Sequence, residues 1–232
     1  MTTLQQETPL RARPSHRPRL AGQAGAGRHR IDDLPRHARR PAWAEVPGQL
    51  SPEQPARIAV MLHGSGGEPQ QGLELLGPIA VQAGWILVAP ASRDYTWDGV
   101  LGRMGPDVES IDAVLHWVFE RFVIEPRRLT IGGFSDGASY ALSLGLGNGA
   151  LFGRVLALSP GFIPPVVRRG KPRVYVSHGT GDTVLPIDRC SRRIVPALER
   201  DRYEVRYREF DGGHVIPPTI AQDAMRWLQD AG

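Results

Sequence analysis

From residue 57 onward the chain alternates short apolar runs with stretches of helical periodicity, and this alternation limits the fold more than any other feature. Residues 57–62, 85–88, 129–131, 155–158 and 174–177 are runs of the kind that form strands buried on both faces, and 204–210 reads as a further strand. Between them lie helical stretches. Residues 68–83 carry Leu73, Leu76 and Ala80 at spacings of three and four. Residues 107–122 place Val108, Ile111, Leu115, Val118 and Phe122 on one stripe, with Pro106 at a position that suits a helix start. Residues 136–146, 187–202 and 217–229 complete the set. Strand and helix in alternation predict an α/β fold: a mostly parallel central sheet flanked by helices. No internal repeat is visible, and no insertion is long enough for a separate cap domain.

The first 42 residues differ from the rest. They are rich in Arg, Pro, Gly and Ala and poor in aromatic and β-branched residues, so they offer little apolar surface to offset the entropy of ordering. The expectation is a flexible tail over 1–42 and a catalytic domain over 43–232, with residues 43–47 as a short leading strand. The net charge of +4 divides unevenly: residues 1–50 hold nine Arg against four acids, and the remainder holds 19 basic residues against 20 acidic ones. A nucleic-acid-binding domain carries its basic excess on the folded body, and this chain does not. An Arg-rich, acid-poor segment also suits a transit peptide or a polyanion contact. The single Cys190 cannot close an intramolecular disulfide, no Cys/His group has zinc spacing, and no apolar run approaches a membrane span. The first 30 residues lack an apolar signal core, which with the unpaired cysteine predicts a cytoplasmic protein.

Chemistry concentrates in Gly133-Phe134-Ser135-Asp136-Gly137, between a predicted strand and a predicted helix. G-x-S-x-G in that setting is a nucleophile elbow. The serine occupies a sharp strand-to-helix turn, and small residues two before and two after it let the chain segments pass. The backbone N–H of Asp136 then opens a helix N-terminus toward developing negative charge. A serine hydroxyl needs a base and an orienting acid, in the chain order Ser, Asp or Glu, His. His214 follows the strand ending at 210, and Asp182 follows the strand ending at 177. Both therefore leave strand ends on the sheet edge where Ser135 lies, the edge at which open α/β sheets bind ligands. Asp211 is too near His214 in sequence to hold its far nitrogen easily, and Asp188 suits a helix cap. His178 reads as bracing a loop, His116 as a mid-helix residue and His63 as shaping the glycine loop after it.

That loop, His63-Gly64-Ser65-Gly66-Gly67, can supply the second oxyanion donor through the N–H of Ser65, with Gly64 as the alternative. It lacks the G-K-[ST] of a phosphate-binding loop and the G-x-G-x-x-G spacing of a dinucleotide site. Tyr95, Trp97, Phe162, Ile163, Val184 and Leu185 lie on strand-end loops and are candidates for an apolar substrate pocket.

Taken together, HGSGG, GFSDGAS, HGTGDTVLP and DGGH, in this order between residues 57 and 228, resemble the phospholipase/carboxylesterase group of α/β-hydrolases. The chain is also similar to small polyester-depolymerase and dienelactone-hydrolase relatives, although the latter use Cys where this chain has Ser135. The resemblance implies an α/β-hydrolase fold and an ester hydrolase in which Ser135 is nucleophile, Asp182 orienting acid and His214 base. It further implies oxyanion donation from the Ser65 and Asp136 backbones and no cofactor. Acyl-protein thioesterases of the group carry Gln after the serine, where this chain has Asp136. The expected partner is a small-molecule or polymeric ester, as monomer or homodimer. A polyester depolymerase and a thioesterase or lysophospholipase share the triad. A hydrolase-fold binding protein is the reading from another class. The antiparallel strand pair that opens such folds is not apparent in the first 50 residues.

Overall fold

The computed structural model describes residues 10–14, 17–50 and 55–230. Its strands are β1 (Gly27–Ile31), β2 (Ala42–Val46), β3 (Ala56–Leu62), β4 (Trp85–Ala89), β5 (Ile124–Phe134), β6 (Arg154–Leu158), β7 (Arg173–Gly179) and β8 (Val205–Phe210). Its helices are α1 (Pro69–Glu74), α2 (Gly77–Gln82), α3 (Pro106–Arg121), α4 (Asp136–Gly147), α5 (Ser191–Arg200) and α6 (Pro218–Gln229). The strands form one sheet in the order β1-β2-β4-β3-β5-β6-β7-β8. β3 to β8 run parallel to their neighbours, whereas β1 pairs antiparallel with β2 and β2 antiparallel with β4.

The apolar runs work as expected for strands covered on both sides. Successive side chains of a strand point to opposite faces. Ile58, Val60 and Leu62 of β3 therefore join one core with Val108, Ile111 and Leu115 of α3 and Leu142 of α4. Ala59 and Met61 join the other core with Leu73 of α1 and Met225 and Leu228 of α6.

The predicted helix over 68–83 is two short ones. Gly77 takes a φ of 48° and Pro78 has no N–H to donate, so the α1 turn cannot run on. The predicted helix over 187–202 begins instead with a 3-10 turn, Ile187–Arg189, before α5.

The tail expected over residues 1–42 needs correction. β1 lies within it and is hydrogen-bonded to β2 from Gly27↔Val46 to Ile31↔Ala42, the antiparallel pair that the sequence did not display. Only Ile31 of β1 is fully buried, so the strand has no apolar signature, and its order comes from ladder hydrogen bonds. Upstream, Leu10 is buried in the core, and its N–H donates to Asn148 Oδ1 at 3.1 Å. The N–H groups of Arg11 and Ala12 both donate to Asp112 Oδ1 of α3, at 2.6 and 2.8 Å. Leu20 N–H reaches the Glu120 carbonyl at 2.7 Å. Residues 1–9 and 15–16 of the expected tail lie outside the described residues. No helix among the described residues is long and apolar enough to cross a membrane.

Candidate active site

Ser135 is the single residue between the end of β5 and the start of α4. It holds φ 58° and ψ −121°, a conformation that costs a side-chain-bearing residue on the order of 1–3 kcal/mol. The turn is over-determined by its surroundings. Ser135 N–H donates to the Leu158 carbonyl at the end of β6 at 2.9 Å, and its carbonyl accepts from Ser139 N–H at 3.0 Å. The flanking glycines are required by packing. A Cβ on Gly133 would meet the Gly137 carbonyl carbon at 2.5 Å, and one on Gly137 would meet Leu62 O at 2.3 Å. As N-cap of α4, Ser135 sits where first-turn N–H groups have no intrahelical acceptor and the helix end is positive. The Asp136 carboxylate accepts from Thr96 Oγ1 at 2.7 Å, which ties the elbow to the β4–α3 loop.

Asp182 and His214, separated by 32 residues, are brought into contact. His214 Nδ1 lies 2.6 Å from Asp182 Oδ2. The other oxygen, Oδ1, accepts the backbone N–H groups of Val184 and Leu185 at 2.9 and 2.8 Å. Burial pushes the Asp182 carboxyl up, but the Leu185 N–H, His214 and the Val184 N–H outweigh it and hold the group below its ordinary range. The ionised carboxylate can only accept, so Nδ1 carries the proton and Nε2 is left with a lone pair. The His214 ring packs on Phe134, the residue before Ser135, with centroids 4.6 Å apart.

His178 braces the acid's loop. Its Nε2 donates to the Leu185 carbonyl at 2.8 Å and lies 3.3 Å from Asp182 Oδ2, while Nδ1 accepts from the Ser191 hydroxyl at 2.6 Å. Burial holds its pKa below the ordinary histidine value.

The β3–α1 loop adjoins the elbow: a Cβ on Gly64 would lie 3.5 Å from Ser135 Cβ. His63 Nε2 accepts the Ser92 N–H at 3.1 Å, so Nδ1 bears the proton and donates to the Gly64 carbonyl at 2.7 Å. Burial, assisted by the nearby Arg40 charge, lowers the His63 pKa and keeps this neutral form. Gly67 N–H also donates to the Gly64 carbonyl at 3.0 Å, and Gly66 N–H donates to the Tyr95 carbonyl at 2.7 Å.

A cleft of about 510 Å³ opens at this point, lined among others by Ser65, Gln71, Leu75, Phe134, His214 and Ile216. None of the residues expected to line a pocket faces it. Trp97 in particular is corrected: it is fully buried, donates Nε1–H to the His63 carbonyl at 2.9 Å and stacks on Tyr140. It supports the loop from beneath, because an indole that has found its acceptor in the core has no reason to face water. Tyr95, Phe162 and Val184 are exposed, and Leu185 is partly so. Tyr95, Phe162 and Val184, with Leu101 and Val215, make up the exposed large hydrophobic residues of the described chain, all on loops leaving the carboxyl ends of strands. Phe134, Val215 and Ile216 were missed as wall residues although each lies within two residues of a candidate catalytic residue. A larger cleft, about 780 Å³, lies between the N-terminal segment and α3; charges of both signs line it, and Ser135, Asp182 and His214 do not.

No protein-family model matches the sequence, and no curated protein does. Solved structures do match. A carboxylesterase from Mesorhizobium loti is 22% identical with a TM-score of 0.66, over 88% of this chain and 100% of its own. A fluorophosphonate-binding serine hydrolase of Staphylococcus aureus is 12% identical with a TM-score of 0.69, over 90% of this chain and 100% of its own. The esterase PE8 is 23% identical with a TM-score of 0.63, over 76% of this chain and 95% of its own. At these identities the likeness establishes the fold, which is that of the α/β-hydrolases, as the resemblance of the motifs implied.

Proposed function

We propose that the chain is a serine esterase in which Ser135 attacks the carbonyl carbon of a carboxylic ester. The observation that carries this reading is the 2.6 Å contact of His214 Nδ1 with Asp182, which leaves Nε2 basic on a ring packed beside the Ser135 elbow. In the proposed cycle, His214 Nε2 takes the serine proton as the Oγ–C bond forms. The Ser65 and Asp136 N–H groups receive the tetrahedral oxyanion. The C–O bond to the alcohol breaks as His214 returns the proton to the leaving oxygen. Water then adds to the acyl-enzyme by the same route and releases the acid. The reaction draws on no metal or organic cofactor. The likeness to esterases and to a serine hydrolase supports the class of reaction.

The exposed apolar residues on the sheet's carboxyl edge and the absence of a cap insertion among the described residues favour short- to medium-chain esters or an ester chain lying across an open surface. The test is hydrolysis of p-nitrophenyl esters from acetate to palmitate by wild type and Ser135→Ala, with fluorophosphonate labelling alongside. Activity that vanishes in the variant, with label on Ser135 alone, is the expected result, and the chain-length optimum sizes the cleft. Absence of both turnover and label would leave a hydrolase-fold binding protein.

A further inference from the structure

The N-terminal segment that composition assigned to a tail carries a side chain that reaches the esterase machinery. Arg40 lies between β1 and β2, and its guanidinium joins two loops that belong to different strands. Nη1 donates to the Gly67 carbonyl at 2.9 Å, in the β3–α1 loop, and lies 3.0 Å from Glu68 Oε1. Nη2 donates to the Ser92 carbonyl at 2.8 Å and to Ser92 Oγ at 3.1 Å, in the β4–α3 loop. The side chain is only 25% exposed, so these bonds are partly withdrawn from competing water.

The connections run on from there. Ser92 N–H donates to His63 Nε2, and His63 Nδ1–H donates to the Gly64 carbonyl. Gly67, the residue Arg40 grips, donates its own N–H to that same Gly64 carbonyl. A trans peptide is planar, so its C=O and the following N–H point in opposite directions. Two hydrogen bonds on the Gly64 carbonyl therefore set the direction of the Ser65 N–H, in a peptide that lies against Ser135.

We infer that Arg40 is a positioning residue for the oxyanion hole, acting through Gly67 and through Ser92 and His63 to hold the Gly64–Ser65 peptide in its donating orientation. The inference rests on the esterase reading above. A planar fork with several N–H groups can bridge two loops at once, whereas an ammonium group, a compact point charge, cannot reproduce that bridge. A preorganised donor acts on the transition state more than on the bound substrate. Loss of Arg40 is therefore expected in kcat and not in KM.

The experiment compares wild type, Arg40→Lys and Arg40→Ala on p-nitrophenyl butyrate. Rates are normalised to sites titrated to completion with a fluorophosphonate, so unfolded protein drops out. A trifluoromethyl ketone serves as the probe of tetrahedral-adduct binding. Complete loss of one oxyanion donor costs on the order of 10²–10³ in kcat, and a misdirected donor is expected to cost roughly 10- to 100-fold. The expected result is that fall in kcat in both variants, KM within about threefold, a matching loss of affinity for the ketone, and partial rescue of Arg40→Ala by millimolar guanidinium. Normalised kcat and ketone affinity equal to wild type in either variant overturn the proposal. So does a loss confined to the titratable fraction, which would make Arg40 a staple of the fold alone. A wild type with neither turnover nor label fails the esterase reading and takes this inference with it.

Discussion

Asp182→Asn offers a sharp test of the proposed triad because the structure dictates how the amide must sit. In the native protein Oδ1 accepts two backbone N–H groups, from Val184 and Leu185, and Oδ2 accepts His214 Nδ1–H. An asparagine keeps its one carbonyl oxygen on the pair of N–H donors, since turning the NH₂ there would set donor against donor twice. The NH₂ is thereby placed on His214 Nδ1. To accept from it, the imidazole must move its proton to Nε2, the atom that has to take the proton of Ser135. The ring stays in place and the base is lost. The expected fall in kcat is about 10⁴-fold, equal to ~5.4 kcal/mol of barrier, as for the equivalent change in other Ser-His-Asp enzymes. Asp182→Ala is a poorer probe, because it strands three partly buried donors and confuses chemistry with folding. The assay is ester turnover per phosphonate-titrated site, with ¹⁵N NMR of the His214 tautomer. A variant within about tenfold of wild type, or one that still carries its proton on Nδ1, would refute the reasoning.

Other consequences are equally direct. Leu10→Ala, at a site 1% exposed, is expected to cost ~2–5 kcal/mol in urea unfolding, whereas a leucine in a free tail would cost nothing measurable. Gly137→Ala drives a methyl to within 2.3 Å of Leu62 O and is expected to lower stability by about 3 kcal/mol or more and to abolish turnover; Gly25→Ala, with nothing within 4 Å, is expected to change neither. Burial, together with the charges of Asp98 and Asp94, raises the Asp107 carboxyl to about 6 against the opposing N–H groups of Asp98 and Arg93. Between the ordinary carboxylate value and about 6 the native state holds a proton that the unfolded chain has lost, so this group's contribution to stability falls as pH rises through that window. Urea unfolding of wild type against Asp107→Asn at pH 4.5 and 6.5 should show wild type losing ground by roughly 2 kcal/mol at the higher pH, and an unchanged difference would contradict it.

How much of this could be read from the chain depends on where each constraint resides. The strained turn at Ser135 makes its demands within five residues, since Gly133 and Gly137 must be small for Ser135 to stand between β5 and α4, so the motif is spelled contiguously. Asp182 and His214 were legible because each follows a strand end, and a parallel sheet gathers all such ends on one edge. The two cores were legible in the same way, as apolar runs whose alternate residues face opposite sides. The break at Gly77-Pro78 was also present in the sequence but was overridden by the spacing of Leu73, Leu76 and Ala80.

What the tertiary structure alone decided has a different physical origin. β1 buries little, and its order comes from backbone bonds to β2, which leave no mark on its own composition. The segment at Leu10–Ala12 is held by Asn148 and Asp112, at least 100 residues away. Trp97 looked like a pocket residue by its loop position and proved to be core by its contact with the His63 carbonyl. Arg40 looked like one more charge in a basic stretch until Gly67 and Ser92 were found on its two nitrogens. Local strain and periodicity leave their mark in neighbouring residues. A hydrogen bond between distant polar groups leaves none, because nearly any polar residue satisfies composition and only geometry selects its partner.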